Sequence, residues 1–171
     1  HPLSRRQRQM CIRDSYLPAG PLRESIKRTD EADFIVSSSK LTRLKTKHNN
    51  YLMNYQPIEW ARIKDNKRFN ANSWPLSKNV HAVAGIGNPA KFFNTLISLG
   101  LNPIRHSFPD HYQFKEEDLD FGDTLPIIMT EKDAVRCLEM NSNNLWYLSV
   151  EAKFENEDLA ENILNKLTIN K

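Results

Sequence analysis

Residues 79–101, NVHAVAGIGNPAKFFNTLISLGL, decide the fold. NVHAVAG is a short β-rich run. NPAKFFNTLISLGL behind it carries a helix's punctuation, with Asn88 to cap it, Pro89 at the first helical position and Gly100 to stop it. Phe92, Leu96 and Leu99 share a face, flanked by Phe93 and Ile97. The alternation then repeats. NPIRHSF reads as a second strand, KEEDL as a helical turn or short helix, LPIIMT as a third strand and EKDAVRCLEM as its helix. LWYLSVEAKF gives a fourth strand, and NEDLAENILNKL closes with Leu159, Ile163 and Leu167 on one side. This repeat predicts an α/β fold, a mostly parallel sheet with helices on both faces.

Upstream of residue 79 the order is looser. EADFIVSSS reads as a strand, the last of a preceding domain, and KLTRLKTKHNN as a basic polar connection. Residues 51–78 hold Trp60 and Trp74 without helical periodicity, so they read as an irregular or hairpin-containing linker in which both tryptophans serve packing.

Composition narrows the classes. With 171 residues, 39% hydrophobic and 26% charged, the chain can form one compact domain, or a small domain plus part of another. No run approaches the roughly 18 apolar residues of a membrane span. RQMCIRDS and its neighbours contain no apolar core of a secretory signal, and residues 1–15 read as a non-native tail outside the fold. That stretch carries Arg5, Arg6, Arg8 and Arg13 against Asp14, which is +3. The whole chain is also +3, so residues 16–171 are neutral and offer no nucleic-acid footprint. Cys11 and Cys137 form no metal or redox spacing, which points to a reducing compartment.

In an open α/β sheet, ligands bind outside the carboxyl ends of the strands. Three polar clusters fall on that edge: Gly85, Gly87 and Asn88 after the first strand, Asp110 and His111 after the second, and Thr130, Lys132 and Asp133 after the third. Each has two readings. GIGNP lacks the third glycine of a dinucleotide fingerprint and serves equally as a turn into a capped helix. Thr130 can accept from the backbone N–H of Asp133 as an N-cap. His111 is either a turn residue packed on Tyr112 and Phe114 or a group that does chemistry. Asp110 is either its helper or a turn-former.

Four segments together carry a resemblance: LPAGPLRES (17–25), VHAVAGIGNPAKFFNTLISLGL (80–101), SFPDHYQF (107–114) and PIIMTEKDAVR (126–136). Their wording, order and spacing resemble the signature segments of the tetraacyldisaccharide 4'-kinases of lipid A biosynthesis, from about residue 16 to near the C-terminus. The resemblance implies transfer of the γ-phosphate of ATP, with Mg²⁺, to the 4'-hydroxyl of an acylated glucosamine disaccharide 1-phosphate. It implies a peripheral protein on the cytoplasmic face of the inner membrane, with the lipid and the membrane surface as partners. It also implies a P-loop α/β domain, a small β linker and a second α/β domain. On this chain, residues 16–50 would end the first domain, 51–78 would be the linker and 79–171 the second domain.

The resemblance further implies that His111 pairs with a carboxylate of the first domain and orients or tunes it as the base for the sugar hydroxyl. Arg23 and Glu24 become candidates for a phosphate of substrate or nucleotide, since a guanidinium grips phosphate bidentately; a surface ion pair is the plainer use of the two. Ser25 departs from the proline usual there. The larger departure is the phosphate loop: none of the five glycines belongs to a G-x-x-x-x-G-K-[ST] motif. The family places that loop and its metal-binding acidic pair upstream of Leu17, so the chain reads as a C-terminal part that is inactive alone. A non-catalytic α/β module that binds a nucleotide or phosphorylated ligand is the alternative.

Overall fold

Apolar residues on both sides of a strand mark it as central, and Val80 to Ala84 are all buried. The computed structural model describes residues 26–38, 50–156 and 158–169. In chain order the strands are β1 (Ile35–Ser37), β2 (Asn50–Arg62), β3 (Arg68–Asn70), β4 (Asn79–Ala84), β5 (Asn102–Ser107), β6 (Ile127–Thr130) and β7 (Leu145–Phe154). The helices are α1 (Pro89–Ser98), α2 (Glu131–Ala134) and α3 (Leu159–Ile169). Single 3₁₀ turns span Ile26–Glu31, Glu116–Leu119 and Val135–Cys137.

Tyr55–Ala152 form one compact unit, and the described residues outside that range group into a second. In the larger unit the strands run in the order β3-β2-β7-β6-β4-β5. β4 pairs parallel with β5 and β6, and β6 parallel with β7, in the register His81 opposite Ile127 and Ile128 opposite Trp146. Side-chain alternation then builds two cores. Val80, Ala82, Ala84, Ile128 and Trp146 face Phe92, Phe93 and Leu96 of α1. Val83, Ile127, Met129 and Leu145 face Phe114, Leu119, Ala134 and Cys137. The sheet is mostly parallel and covered on both faces.

The helix signals of α1 hold in part. Pro89 opens it and Gly100 ends it with φ at 82°, a left-handed conformation that suits glycine. Asn88 stands at the cap position, but its side chain makes no cap bond. EKDAVRCLEM is shorter than its periodicity predicts: one α-turn, then a 3₁₀ turn. Val135 and Leu138 are exposed, so no apolar stripe extends the helix.

Residues 51–78 are more regular than expected. β2 runs for 13 residues, and Glu59, Trp60 and Ala61 pair antiparallel with Asn70, Phe69 and Arg68 across a hairpin. Trp60 is fully buried and donates to the Ala71 carbonyl at 2.9 Å. Trp74 packs edge-on against both Trp60 and Trp146, at 4.9 and 5.4 Å. These tryptophans are core, and they bind residues 55–78 to the larger unit.

In the smaller unit β1 pairs parallel with the start of β2, Ile35 opposite Asn50. α3 groups here, with residues 26–38 and 50–54 and not with residues 79–152. Asn162 on α3 donates to the Tyr51 hydroxyl at 2.8 Å, and Lys166 pairs with Asp33. Leu164 and Leu167 are left exposed. Among the described residues no helix is long and apolar enough to cross a membrane.

Candidate functional site

From β4 the chain goes first to β5 on one side, then returns past β4 to β6 on the other. The strand order therefore reverses at β4 and β6, and the crevice beyond their carboxyl ends is the topological switch point. Gly85 follows β4, Asp110 and His111 lie just beyond β5, and Glu131 to Asp133 follow β6.

Asp133 is fully buried, and a buried carboxylate needs donors. It has three. The Gly85 N–H donates to Oδ2 at 3.0 Å, the Thr130 hydroxyl to Oδ2 at 2.7 Å and Arg136 Nη1 to Oδ1 at 3.0 Å. Thr130 in turn accepts from the Asp133 N–H at 3.2 Å, the expected cap. Gly85 must be a glycine for this approach. A β-carbon there would lie 3.2 Å from both Asp133 Oδ1 and the Pro109 carbonyl oxygen.

His111 takes a left-handed backbone, φ 63°, which is uncommon for a residue with a β-carbon. Its N–H donates to the Gly85 carbonyl at 3.2 Å, and the rings of Phe108, Tyr112 and Phe114 pack together behind it at 4.9–5.2 Å. The imidazole is 68% exposed. Arg136 Nη2 lies 3.0 Å from its Nδ1. A guanidinium keeps its protons, so Nδ1 is the acceptor and the neutral ring carries its hydrogen on Nε2.

Asp110 is not in hydrogen-bond range of that ring, since Oδ2 lies 3.8 Å from Nε2. It pairs instead with Lys132 at 3.0 Å. The Lys132 hydrogen bond, assisted by the nearby His111, holds its carboxyl below the usual carboxylate range. Gly87 has open space where a β-carbon would go, and neither it nor Asn88 enters the hydrogen-bonded cluster. Arg23 and Glu24 lie outside the described residues. Next to the cluster, Thr130 and Lys132 share the wall of a cavity of about 490 Å³ with Ile86, Phe92, Leu148 and Val150, a carbon-lined space.

The family model described as tetraacyldisaccharide-1-P 4'-kinase matches residues 6–168. The chain belongs to that family. A tetraacyldisaccharide 4'-kinase of Hahella chejuensis is 42% identical over 137 residues, covering 80% of this chain and 39% of the relative. One from Ruthia magnifica is 40% identical over 152 residues, covering 89% of this chain and 45% of the relative. A crystal structure of LpxK from Aquifex aeolicus in complex with ATP superposes with a TM-score of 0.66 at 25% identity, over 92% of this chain and 50% of that one. The chain thus spans about two-fifths of the length of the curated tetraacyldisaccharide 4'-kinases it matches.

Two features escaped the sequence. Arg136 stands in a quoted segment, yet its partner His111 is 25 residues away; the only local signal is its place three residues after Asp133, where a 3₁₀ turn puts side chains in line. The other lies on β4, β5 and the loop before β6. His81 Nδ1 is 2.9 Å from His106 Nε2, its Nε2 is 3.1 Å from Asp123, and Phe121 stacks on both rings at 4.1 and 4.0 Å. Burial, then the charge of His81, push His106 below its ordinary value. The Leu125 N–H, then His81, hold Asp123 low. Cys137 is packing: burial pushes its thiol up to about 11. Among the described residues no three His, Cys, Asp or Glu are arranged to hold a metal ion.

Proposed function

We propose that this chain is the C-terminal part of an ATP-dependent tetraacyldisaccharide 4'-kinase that works peripherally at the cytoplasmic face of the inner membrane. Its substrate is an acylated glucosamine disaccharide 1-phosphate, and its product carries a second phosphate at the 4' position. The observation that carries this reading is His111, an exposed imidazole at the switch-point edge of a chain of this family, with Nδ1 held by Arg136 and no hydrogen bond at Nε2 among the described residues.

In the transfer, the 4'-oxygen bonds to the γ-phosphorus, the bond from that phosphorus to the β–γ bridging oxygen breaks, and the hydroxyl proton must leave. A carboxylate supplied by the upstream part of the kinase takes that proton. His111 donates from Nε2–H to one carboxylate oxygen, which leaves the other free to face the hydroxyl. Arg23 and Glu24 are the candidates for a phosphate of substrate or nucleotide, the guanidinium gripping it bidentately. The carbon-lined cavity beside Lys132 gives an apolar part of the ligand a place close to the reacting groups. Mg²⁺ would neutralise phosphate charge, and no step assigned to this chain passes through the ion.

The test is turnover of the full-length kinase that contains this chain. His111→Ala should lower it by on the order of 10²-fold or more, the scale of a proton-transfer contribution. Full turnover by that variant would return His111 to a turn residue.

A further inference from the structure

We infer that Arg136 is a positioning residue that fixes the tautomer and ring orientation of His111, an inference that rests on the role proposed for His111 above. The guanidinium is a fork with two occupied tines. One holds the fully buried Asp133 at 3.0 Å, and the other reaches the Nδ1 of His111 at 3.0 Å. Arg136 is only 15% exposed, whereas the imidazole is 68% exposed. The anchored group therefore orients the free one. Asp133 is itself immobilised by Gly85 and Thr130, so the chain of contacts runs from the backbone of the β4 turn to the imidazole.

The consequence is chemical. An exposed imidazole without a partner samples both neutral tautomers and rotates about its side-chain bonds. With Arg136 donating to Nδ1, the hydrogen is confined to Nε2, the nitrogen that no hydrogen bond among the described residues occupies. Asp110 cannot compete, because it is held by Lys132 and lies too far from the ring. A donor at Nε2 is what a carboxylate base needs from a helper. The reverse tautomer would present a lone pair to a negative charge.

If Arg136 were only the ion-pair partner of Asp133, any cation would serve. Arg136→Lys separates the two roles, because a single ammonium can remain on Asp133 but cannot also span to His111 in the same planar geometry. Ring ¹⁵N and carbon-bound ¹H correlation spectra of the 171-residue chain at pH 8 read the tautomer directly. The wild type should show one pattern, with Nε2 protonated and Nδ1 bare. Arg136→Lys and Arg136→Met should show the averaged pattern of both tautomers, and the lysine variant should keep the wild-type circular dichroism. An unchanged single-tautomer spectrum in a folded Arg136→Lys chain would overturn the inference and leave the proposed function standing.

The full-length kinase supplies the second readout. Arg136→Lys should lower kcat tenfold or more with KM for ATP and for the lipid changed less than twofold, and adding it to His111→Ala should bring little further loss. Additive losses would mean that Arg136 acts apart from His111, and the inference would fall. If His111→Ala alone left turnover intact, the proposed function would fail while the tautomer result stood.

Discussion

A methyl group at Gly85 would sit 3.2 Å from Asp133 Oδ1 and from the Pro109 carbonyl oxygen, and 3.3 Å from the Phe114 ring. None of these can yield cheaply, since the carboxylate is held by three donors and the carbonyl is backbone. Gly85→Ala should therefore destabilise the chain by about 1–3 kcal/mol, the usual scale of overpacking. Gly87→Ala, two residues on and facing open space, should stay within about 0.5 kcal/mol. Urea denaturation of the two variants side by side checks this, and equal midpoints would refute the close-packed turn. A pH effect belongs to His106. Its pKa is pushed below its unfolded value of about 6.5, so below that pH the unfolded chain binds more protons than the folded one, and stability falls with pH. The loss between pH 7.5 and 5.5 should be smaller in His106→Gln. The same slope in both proteins would remove His106 as its cause.

Trp60 on β2, Trp74 after β3 and Trp146 on β7 make one stack on the α1 side of the sheet, with Trp60 fully buried. Trp60→Ala should cost about 3–5 kcal/mol in urea denaturation, far more than a linker position could. A loss under about 1 kcal/mol would show the hairpin to be peripheral. That hairpin also marks where sequence stopped being informative. β4 and α1 were legible because strand, cap, Pro89 and Gly100 are local signals that agree. β2 was not, because Pro57 and the polar residues around it break the alternation, and its regularity comes from pairing with β3 and β7. The site divides in the same way. The Thr130–Asp133 cap is local and could be read from TEKD, and the meeting of three loops followed from the strand rhythm. The Arg136–His111 bond depends on a 3₁₀ turn and a left-handed residue, neither of which has a sequence signature here. Nor does His81 finding His106, which needs the β4–β5 register.

At the scale of the molecule, a phosphoryl transferase draws most of its rate from a phosphate loop, a lysine and metal ligands that neutralise charge as the phosphoryl group moves. This chain has no G-x-x-x-x-G-K-[ST] in its sequence, and it spans 39–45% of the relatives from Hahella chejuensis and Ruthia magnifica. Under the proposed function it supplies the helper end of the chemistry, His111 with its Arg136 and Asp133 supports, and Arg23. The isolated 171-residue chain should therefore show no ATP-dependent phosphorylation of the disaccharide lipid and at most weak ATP binding, as read by product formation from labelled ATP and by calorimetry. Joined to the upstream part of the kinase it should turn over, and Arg23→Ala should then lower turnover by more than tenfold if that guanidinium grips a phosphate. An unchanged rate would leave Arg23 as structure. Robust turnover by the isolated chain would be the more serious result, because positioning by His111 accelerates nothing unless a base and a phosphate loop are already in place, and the sequence contains no G-x-x-x-x-G-K-[ST] to form that loop.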